Sequence, residues 1–469
     1  MTTDVDAVVV GSGPNGLVAA VTLAEAGWKV LVLEAQNQAG GGMRTEELTL
    51  PGFRHDVCSA VHPMALASPA FRELELAREG LAFAQPRIPL GHPIAPGDTA
   101  YLRRDVVETA AGLGADGPLW KAVMGTFGSR WPQLARAIGN PLRPTPDLIA
   151  LGATSVWPTT WLMRGLRDEH TRALLAGIAA HSINDLHQPA TALIGVALGA
   201  FAHGVGWPVA IGGSQSIADA LIARLRSLGG DVVTGHRVRN VDNLPSARAV
   251  LLSTTPRQAL QLAGHRFAPR YAKTLSRFRY GPGVFKVDWA LDAPVPWSDP
   301  ELAGAGTVHI GGRGADVVRA EREVAQGRVP DEPFVLLSQP TDADPSRAPE
   351  GKHTLWAYCH VPHGSEVDMT DAIEQQIERF APGFRDRIIG RHTMDPAAME
   401  AHNANDIGGS IDGGLADLRQ LLARPTASLT PWATSDERIF LASASTMPGP
   451  GVNGMAGRLA AQTVLKRLG

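Results

Sequence analysis

Apolar residues fall along this chain in several distinct rhythms, and each predicts a different element. Ala7-Val8-Val9-Val10 is continuously apolar, the pattern of a short strand buried on both faces. Leu17 to Ala26 is rich in Ala, Leu and Val and predicts a helix ended by Gly27. Lys29 to Leu33 predicts a second strand, with Glu34 at its end. From about Ser68 to Arg172 the pattern predicts mainly helix, joined by loops rich in proline and glycine. Trp120, Trp131, Trp157 and Trp161 fall in this section, which is read as a helical core able to line an apolar pocket. The longest stretch without Asp, Glu, Lys or Arg runs from Leu186 to Ala218 and raises the question of a membrane span. His187, Gln188, Pro189, His203 and Pro208 interrupt it, so it predicts a buried helix followed by a loop.

Beyond Gly212-Gly213 the rhythm changes again. Gly213 to Leu228 predicts a turn and an amphipathic helix with Ile217, Leu221, Ile222 and Leu225 on one side. Strands are predicted at 231–233, 238–241, 249–252, 283–291, 334–337, 353–360 and 438–442. Helices are predicted at 370–380 and 455–468.

Composition narrows the class without naming it. The chain is long enough for two or three domains, and 44% hydrophobic with 19% charged residues is the balance of an ordinary globular protein. A net charge of -3 supplies no positive field for nucleic acid, so no nucleic-acid partner is expected. The two cysteines, Cys58 and Cys359, form no CxxC, which argues against a disulfide framework, a redox dithiol and a cysteine metal site. No HExxH or other compact metal spacing occurs, and no metal is expected. Met1 to Ala7 carries two aspartates and no basic residue, unlike a secretory signal. A cytoplasmic location is expected, and both peripheral membrane contact and a homodimer are compatible with the sequence.

The strongest chemical signal joins the first two strands. Gly11 allows a tight turn out of the strand, Gly13 leaves its backbone open to a pyrophosphate, and Gly16 lets the helix pack close to the sheet. Pro14 and Asn15 complete the turn, and the helix N-terminus points its N–H groups and positive dipole end at the phosphates. Glu34 then offers a carboxylate to a ribose diol. FAD and NAD both fit this unit. The next segment, Glu34-Ala35 to Gly40-Gly41-Gly42-Met43-Arg44-Thr45, places a glycine loop and a cation beside it.

That segment resembles the second fingerprint of the glutathione-reductase-type FAD fold, and more narrowly that of the amine oxidase and phytoene desaturase superfamily. Ile439 to Thr446 followed by Pro448-Gly449-Pro450-Gly451-Val452-Asn453-Gly454-Met455 resembles the closing FAD segment of that superfamily. Gly212 to Ala218 and Leu252-Ser253-Thr254-Thr255-Pro256 resemble its return into the FAD domain. Tyr280 to Asp288, Gln339 to Trp356 and Phe380 to Phe384 resemble the phytoene-dehydrogenase-like group, and the similarity spans nearly the whole chain. The resemblance implies FAD as cofactor, with Val238 beside the adenine and Ser445, Gly454 and Met455 in the closing segment. Its fold implication is a Rossmann FAD-binding domain, α/β in itself, with an inserted substrate domain of mixed sheet and helices, α+β overall. The FAD-binding domain is assigned to 1–75, 205–265 and 425–469, and the substrate domain to 76–204 and 266–424.

Lys286, in Gly283-Val284-Phe285-Lys286, resembles the lysine that holds a water at the flavin N5 in amine oxidases; the alternative is a lysine on the exposed face of a strand. His55 and His62 follow the Arg44 loop and are candidate acids or bases near the flavin. His181, His187, His360 and His363 are candidates for a substrate pocket. No tyrosine pair of the amine-oxidase cage occurs in the C-terminal segment, which turns the reading away from amines. Gly311-Gly312-Arg313-Gly314 is read as a loop without a strand before it or an acid after it, so oxygen, a quinone or a carrier is expected as electron acceptor rather than bound NAD(P). The function expected is FAD-dependent dehydrogenation or oxidation of a largely apolar small molecule. A redox-neutral polyene isomerase and a flavin-containing binding protein are the alternatives.

Overall fold

The computed structural model describes residues 5–469, so Met1 to Asp4 of the acidic N-terminal stretch lie outside the described residues. Two sheets organise the molecule. The first is a five-stranded parallel sheet in the order Ile439–Leu441, Ala249–Leu252, Ala7–Val10, Val30–Leu33, Asp231–Val233. The continuous apolar run at Ala7–Val10 is explained by this placement. Ala7 and Val9 join a core with the helices Pro14–Glu25, Gln215–Ser227 and Met455–Leu468, while Val8 and Val10 join one with Pro256–Ala263. The helix Met455–Leu468 lies directly on Pro14–Glu25: a Cβ at Gly457 would stand 1.8 Å from the carbonyl oxygen of Asn15.

The second is a seven-stranded mixed sheet in the order Ile388–Met394, Gly283–Leu291, His353–Val361, Val335–Ser338, Ala305–Ile310, Ile88–Ala95, Asp98–Leu102. All its pairings are antiparallel except that of Ile88–Ala95 with Ala305–Ile310. Its two faces differ in kind. Phe285, Val287, Trp289, Leu355, Ala357 and Cys359 form a wholly apolar face. The alternating positions, among them Lys286, Asp288, Thr307, His309, Trp356, Tyr358 and His360, form a buried face that carries polar groups toward the helical part of the molecule.

Most predicted elements are present within a residue or two, and Gly283–Leu291, Asp231–Val233, Ala249–Leu252 and Met455–Leu468 match throughout. Three expectations are corrected. The section from Ser68 to Arg172 is not mainly helical at its start, because Ile88–Ala95 and Asp98–Leu102 form a hairpin of the mixed sheet. Residues 238–241 form no strand; the chain crosses the end of the parallel sheet there and closes into a short turn at Val241–Asn243. Gly311 to Gly314 does have a strand before it, Ala305–Ile310, and a helix after it, Gly314–Ala325. The next strand, Val335–Ser338, is antiparallel to Ala305–Ile310, so the unit is not the parallel βαβ that holds a dinucleotide.

The uncharged stretch becomes the buried helix Thr191–Gly204 followed by a loop, as expected. No helix among the described residues is long and apolar enough to cross a membrane.

Candidate functional site

One cavity of about 540 Å3 connects the parallel sheet to the polar-bearing face of the mixed sheet. Its first end is built by backbone. Gly11, Ser12, Gly13, Pro14 and Asn15 lie in its wall where the first strand turns into its helix. A Cβ placed on Gly13 meets nothing within 4 Å, so this backbone faces open space. Gly16, by contrast, is a packing glycine: its Cβ would stand 2.1 Å from the carbonyl oxygen of Gly11 and 3.0 Å from Ser253 Cβ. Gly41 also packs closely on Gly13, its Cβ position lying 2.8 Å from Gly13 Cα. Gly11 and Gly41, at φ +97° and +57°, hold left-handed conformations that a side chain would strain.

Glu34 is buried and fixed. Oε2 accepts from the Ser12 N–H at 2.9 Å and the Ser12 hydroxyl at 2.6 Å, and Oε1 accepts from the Gln36 N–H at 2.9 Å. These three bonds lock the carboxylate at the cavity wall while Oε1 keeps capacity for a further donor. Ala35, Gln36, His236, Arg237 and Val238 continue this wall.

Arg44 also faces the cavity. Its Nε donates to the Gly41 carbonyl at 3.1 Å and its Nη2 to the His402 carbonyl at 2.8 Å. Burial lowers its pKa from the usual arginine range, with Glu46 the leading opposing charge. The closing segment supplies Ser445, Asn453 and Met455, and the Asn453 side chain accepts from the Met455 N–H at 2.9 Å. Met43 and Gly454 serve packing instead. Met43 is a core residue, and Gly454, at φ +67°, has no room for a Cβ beside Val18 and Phe71. Open backbone at Gly13, a helix N-terminus, a buried acceptor at Glu34 and a cation at Arg44 together fit an FAD nucleotide and pyrophosphate.

The second end is an apolar chamber. Leu193, Ile194, Ala197 and Phe201 from the buried helix face Leu336, Trp356 and Tyr358 from the mixed sheet. The four tryptophans singled out by sequence do not line it. Trp157 and Trp161 stack on each other at 5.5 Å and are 44% and 54% exposed, while Trp207 and Trp356 line the chamber in their place.

Lys286 is only 2% exposed, which removes the exposed-strand alternative. Its ammonium pairs with the Asp288 carboxylate and stands 5.8 Å from the centroid of Trp356, a wall residue. Neither Lys286 nor His55 is itself in the wall. His55 Nδ1 lies 3.5 Å from Asp288 Oδ1 and its Nε2 is 2.8 Å from Thr49 Oγ1. His62 does line the cavity, with Nε2 2.8 Å from Ser214 Oγ. Burial pushes both imidazoles down to about 4, so both are neutral at pH 7. His181 is in the wall, 3.1 Å from His309; His187 pairs with Asp185 at the surface, His360 with buried Glu321, and His363 with the Gly281 carbonyl. Cys58 and Cys359 are both free, and burial pushes the Cys58 thiol up to about 12, which leaves no thiolate for disulfide chemistry.

Two wall carboxylates were not foreseen, Asp406 and Asp412. Burial raises Asp406 to about 8, against the hydrogen bond from Asn403 and the charge of Arg44. It raises Asp412 to about 6, against the charges of Arg424 and His360. The signal for them was the run Gly408-Gly409-Ser410-Ile411-Asp412-Gly413-Gly414, whose four glycines all have positive φ.

Comparison with known proteins agrees with this geometry. The sequence profile of the NAD(P)-binding Rossmann-like domain matches residues 9–74. Pyridine nucleotide-disulfide oxidoreductase domain-containing protein 2 of Rattus norvegicus is 25% identical, over 99% of this chain and 94% of its own. A neurosporene-forming phytoene desaturase of Rhodobacter capsulatus is 24% identical, over 98% of this chain and 93% of its own. Among solved structures, an oxidoreductase from Methanosarcina mazei superposes with a TM-score of 0.64 at 16% identity, covering 98% of this chain and 100% of that one. Putrescine oxidase bound to putrescine superposes with a TM-score of 0.63 at 20% identity, covering both chains fully at 100%. The chain therefore carries an N-terminal Rossmann-like domain, is similar over nearly its whole length to that domain-containing protein and to a phytoene desaturase, and shares the fold of putrescine oxidase.

Proposed function

We propose that this protein dehydrogenates or oxidises a largely apolar small molecule, using FAD held at the parallel-sheet end of the cavity. The observation that carries the reading is continuity: one cavity runs from Gly13 and Glu34 to the chamber of Leu193, Phe201 and Leu336. FAD bound there would supply the two-electron redox chemistry.

The chain's own residues do the rest. Glu34, locked by Ser12 and Gln36, receives the ribose hydroxyls, and the helix behind Gly13 faces the phosphates. Leu336, Trp356 and the Thr191–Gly204 helix exclude water and hold an apolar body. Lys286, held by Asp288 behind Trp356, is the residue assigned to assist reoxidation by oxygen. A quinone or another carrier is a further acceptor class. A nicotinamide route through Gly311–Gly314 is disfavoured, because that loop opens an antiparallel unit.

The test is direct. The purified protein is expected to be yellow, to release FAD on denaturation, and to bleach anaerobically with a lipid and metabolite extract. A colourless protein that takes up no FAD overturns the reading. Lys286→Met is expected to slow oxygen-dependent reoxidation more than substrate-driven bleaching. Equal effects on both would remove Lys286 from the chemistry.

A further inference from the structure

The chamber is largely apolar, with Thr307 and His181 as polar groups beside Trp207. Asp412 stands in its wall beside Tyr358, and Tyr358 stacks on Trp356 with ring centroids 5.6 Å apart and planes 11° from parallel. A carboxylate in such surroundings is costly unless donors reach it. The other unforeseen carboxylate has one: Asn403 Nδ2 donates to Asp406 Oδ1 at 3.1 Å. Asp412 has none. Among the described residues no side chain or backbone N–H bonds its carboxylate, and only the more distant charges of Arg424 and His360 act on it.

Its backbone, by contrast, is firmly held. The fully buried Arg424 donates through Nη2 to the carbonyl of Asp412 at 2.6 Å and to that of Gly414 at 3.3 Å, and through Nε to that of Ala444 at 2.9 Å. The hydroxyl of Ser445 donates to the next carbonyl, that of Gly413, at 2.5 Å. The loop is thus clamped to the closing segment on both sides of Asp412, and the carboxylate alone is left to the cavity. The Tyr358 hydroxyl beside it is also without a protein partner among the described residues. A half-buried acceptor, held by its backbone and unpaired at its side chain, is placed to be completed by something that enters the cavity.

We propose that the molecule bound in this chamber has an apolar body and one hydrogen-bond-donating head, a hydroxyl or an ammonium, and that Asp412 receives that head. This rests on the placement of the substrate in the chamber under the proposed function, and it replaces a pure hydrocarbon with a protic substrate class. An ionised carboxylate can both accept from a hydroxyl and pair with a cation.

The experiment is binding to the FAD-loaded protein, followed by the visible flavin spectrum and by calorimetry. Three probes of equal size serve: 1-octanol, octylamine and heptyl methyl ether, the last without a donor. Wild type is expected to bind the alcohol, the amine or both at least tenfold more tightly than the ether. Asp412→Leu is expected to abolish that preference while the ether still binds. Asp412→Asn keeps an acceptor but no charge, so it retains preference for an alcohol and loses it for an amine, which separates the two head groups. Asp406→Asn is expected to keep the wild-type order. Thermal melting checks that each variant folds, and if Asp412→Leu does not, Asp412→Asn carries the amine arm and Asp412→Ala the alcohol arm. Equal binding of all three probes to wild type, no binding of any, or a tenfold preference that survives in Asp412→Leu overturns the proposal. Loss of FAD from wild type would instead strike the reading on which it rests.

Discussion

The two ends of the cavity solve the same problem, placing polar groups in a dry interior, by opposite means. At the parallel sheet the polar groups are backbone amides, exposed by glycines and aimed by a helix, with one acid, Glu34, held by neighbours close in the chain. At the mixed sheet they are buried side-chain pairs: Lys286 with Asp288 along one strand, and Arg347 with Asp56 and His360 with Glu321 brought together from segments far apart in the chain. The first arrangement fails when an atom is added, the second when a charge is taken away.

That contrast can be broken from either side. The largest effect is expected for Asp56→Ala. Asp56 pairs with the fully buried Arg347 and accepts from Thr45 Oγ1 at 2.7 Å and the Ser214 N–H at 2.8 Å. Its loss leaves a buried guanidinium unpaired, and stability in urea should fall by about 3–5 kcal/mol. Gly16→Ala should be next. The added methyl collides with the Gly11 carbonyl, and overpacking of this kind costs about 1–3 kcal/mol, read as lost stability together with lost FAD retention. Unchanged FAD binding in this variant would refute the close-packed turn.

Glu34→Ala should weaken FAD binding by about 1–3 kcal/mol, measured by equilibrium dialysis. It also strips the Ser12 N–H of its acceptor, so Glu34→Gln is the milder comparison, and full flavin retention in both would count against the ribose assignment.

The last effect is spread over several residues and is read as pH dependence. Burial lowers His62 and His92 to about 4 and His181 to about 3. The unfolded chain therefore takes up these protons first as pH falls. The stabilisation is complete above about pH 6.5 and is lost between there and pH 4, by about 1.4 kcal/mol per histidine per pH unit. Thermal melting across that range should show a steep fall, made shallower by His92→Gln. A flat profile would mean that these rings are not buried as neutral imidazoles.

The same contrast explains what was legible in the sequence. The nucleotide end could be read because its parts are local: a strand buried on both faces, three glycines with separate duties, and an acid at the next strand end. The mixed sheet could be read strand by strand but not as a site. Lys286 and Asp288 lie two apart on one strand, which shows that they share a face but not that the face is buried against helices. The hairpin from Ile88 to Leu102 was missed because Pro89, Gly91 and Pro93 break the alternation that marks a strand. The structure accommodates them with a register shift between Pro93 and Ala95 and with Leu302 packed against Gly91, so close that a Cβ there would meet it at 2.4 Å. The Asp412 loop shows its glycines in sequence, but its partner Arg424 and its chamber come from folding alone.

The strand order of the parallel sheet has a consequence for how the protein is made. Ala7–Val10 sits between Val30–Leu33, which follows it at once, and Ala249–Leu252, which is bordered in turn by Ile439–Leu441. At roughly 5–20 residues per second, translation from the first of these strands to the last takes on the order of 20–90 s. Through the first part of that interval Val8 and Val10 have no core to enter, since the strand Ala249–Leu252 and the apolar residues from Val241 to Leu275 that cover them have yet to leave the ribosome. Until they do, that face of Ala7–Val10 is an exposed apolar surface on the nascent chain, and the cavity wall is complete only after Met455 has emerged.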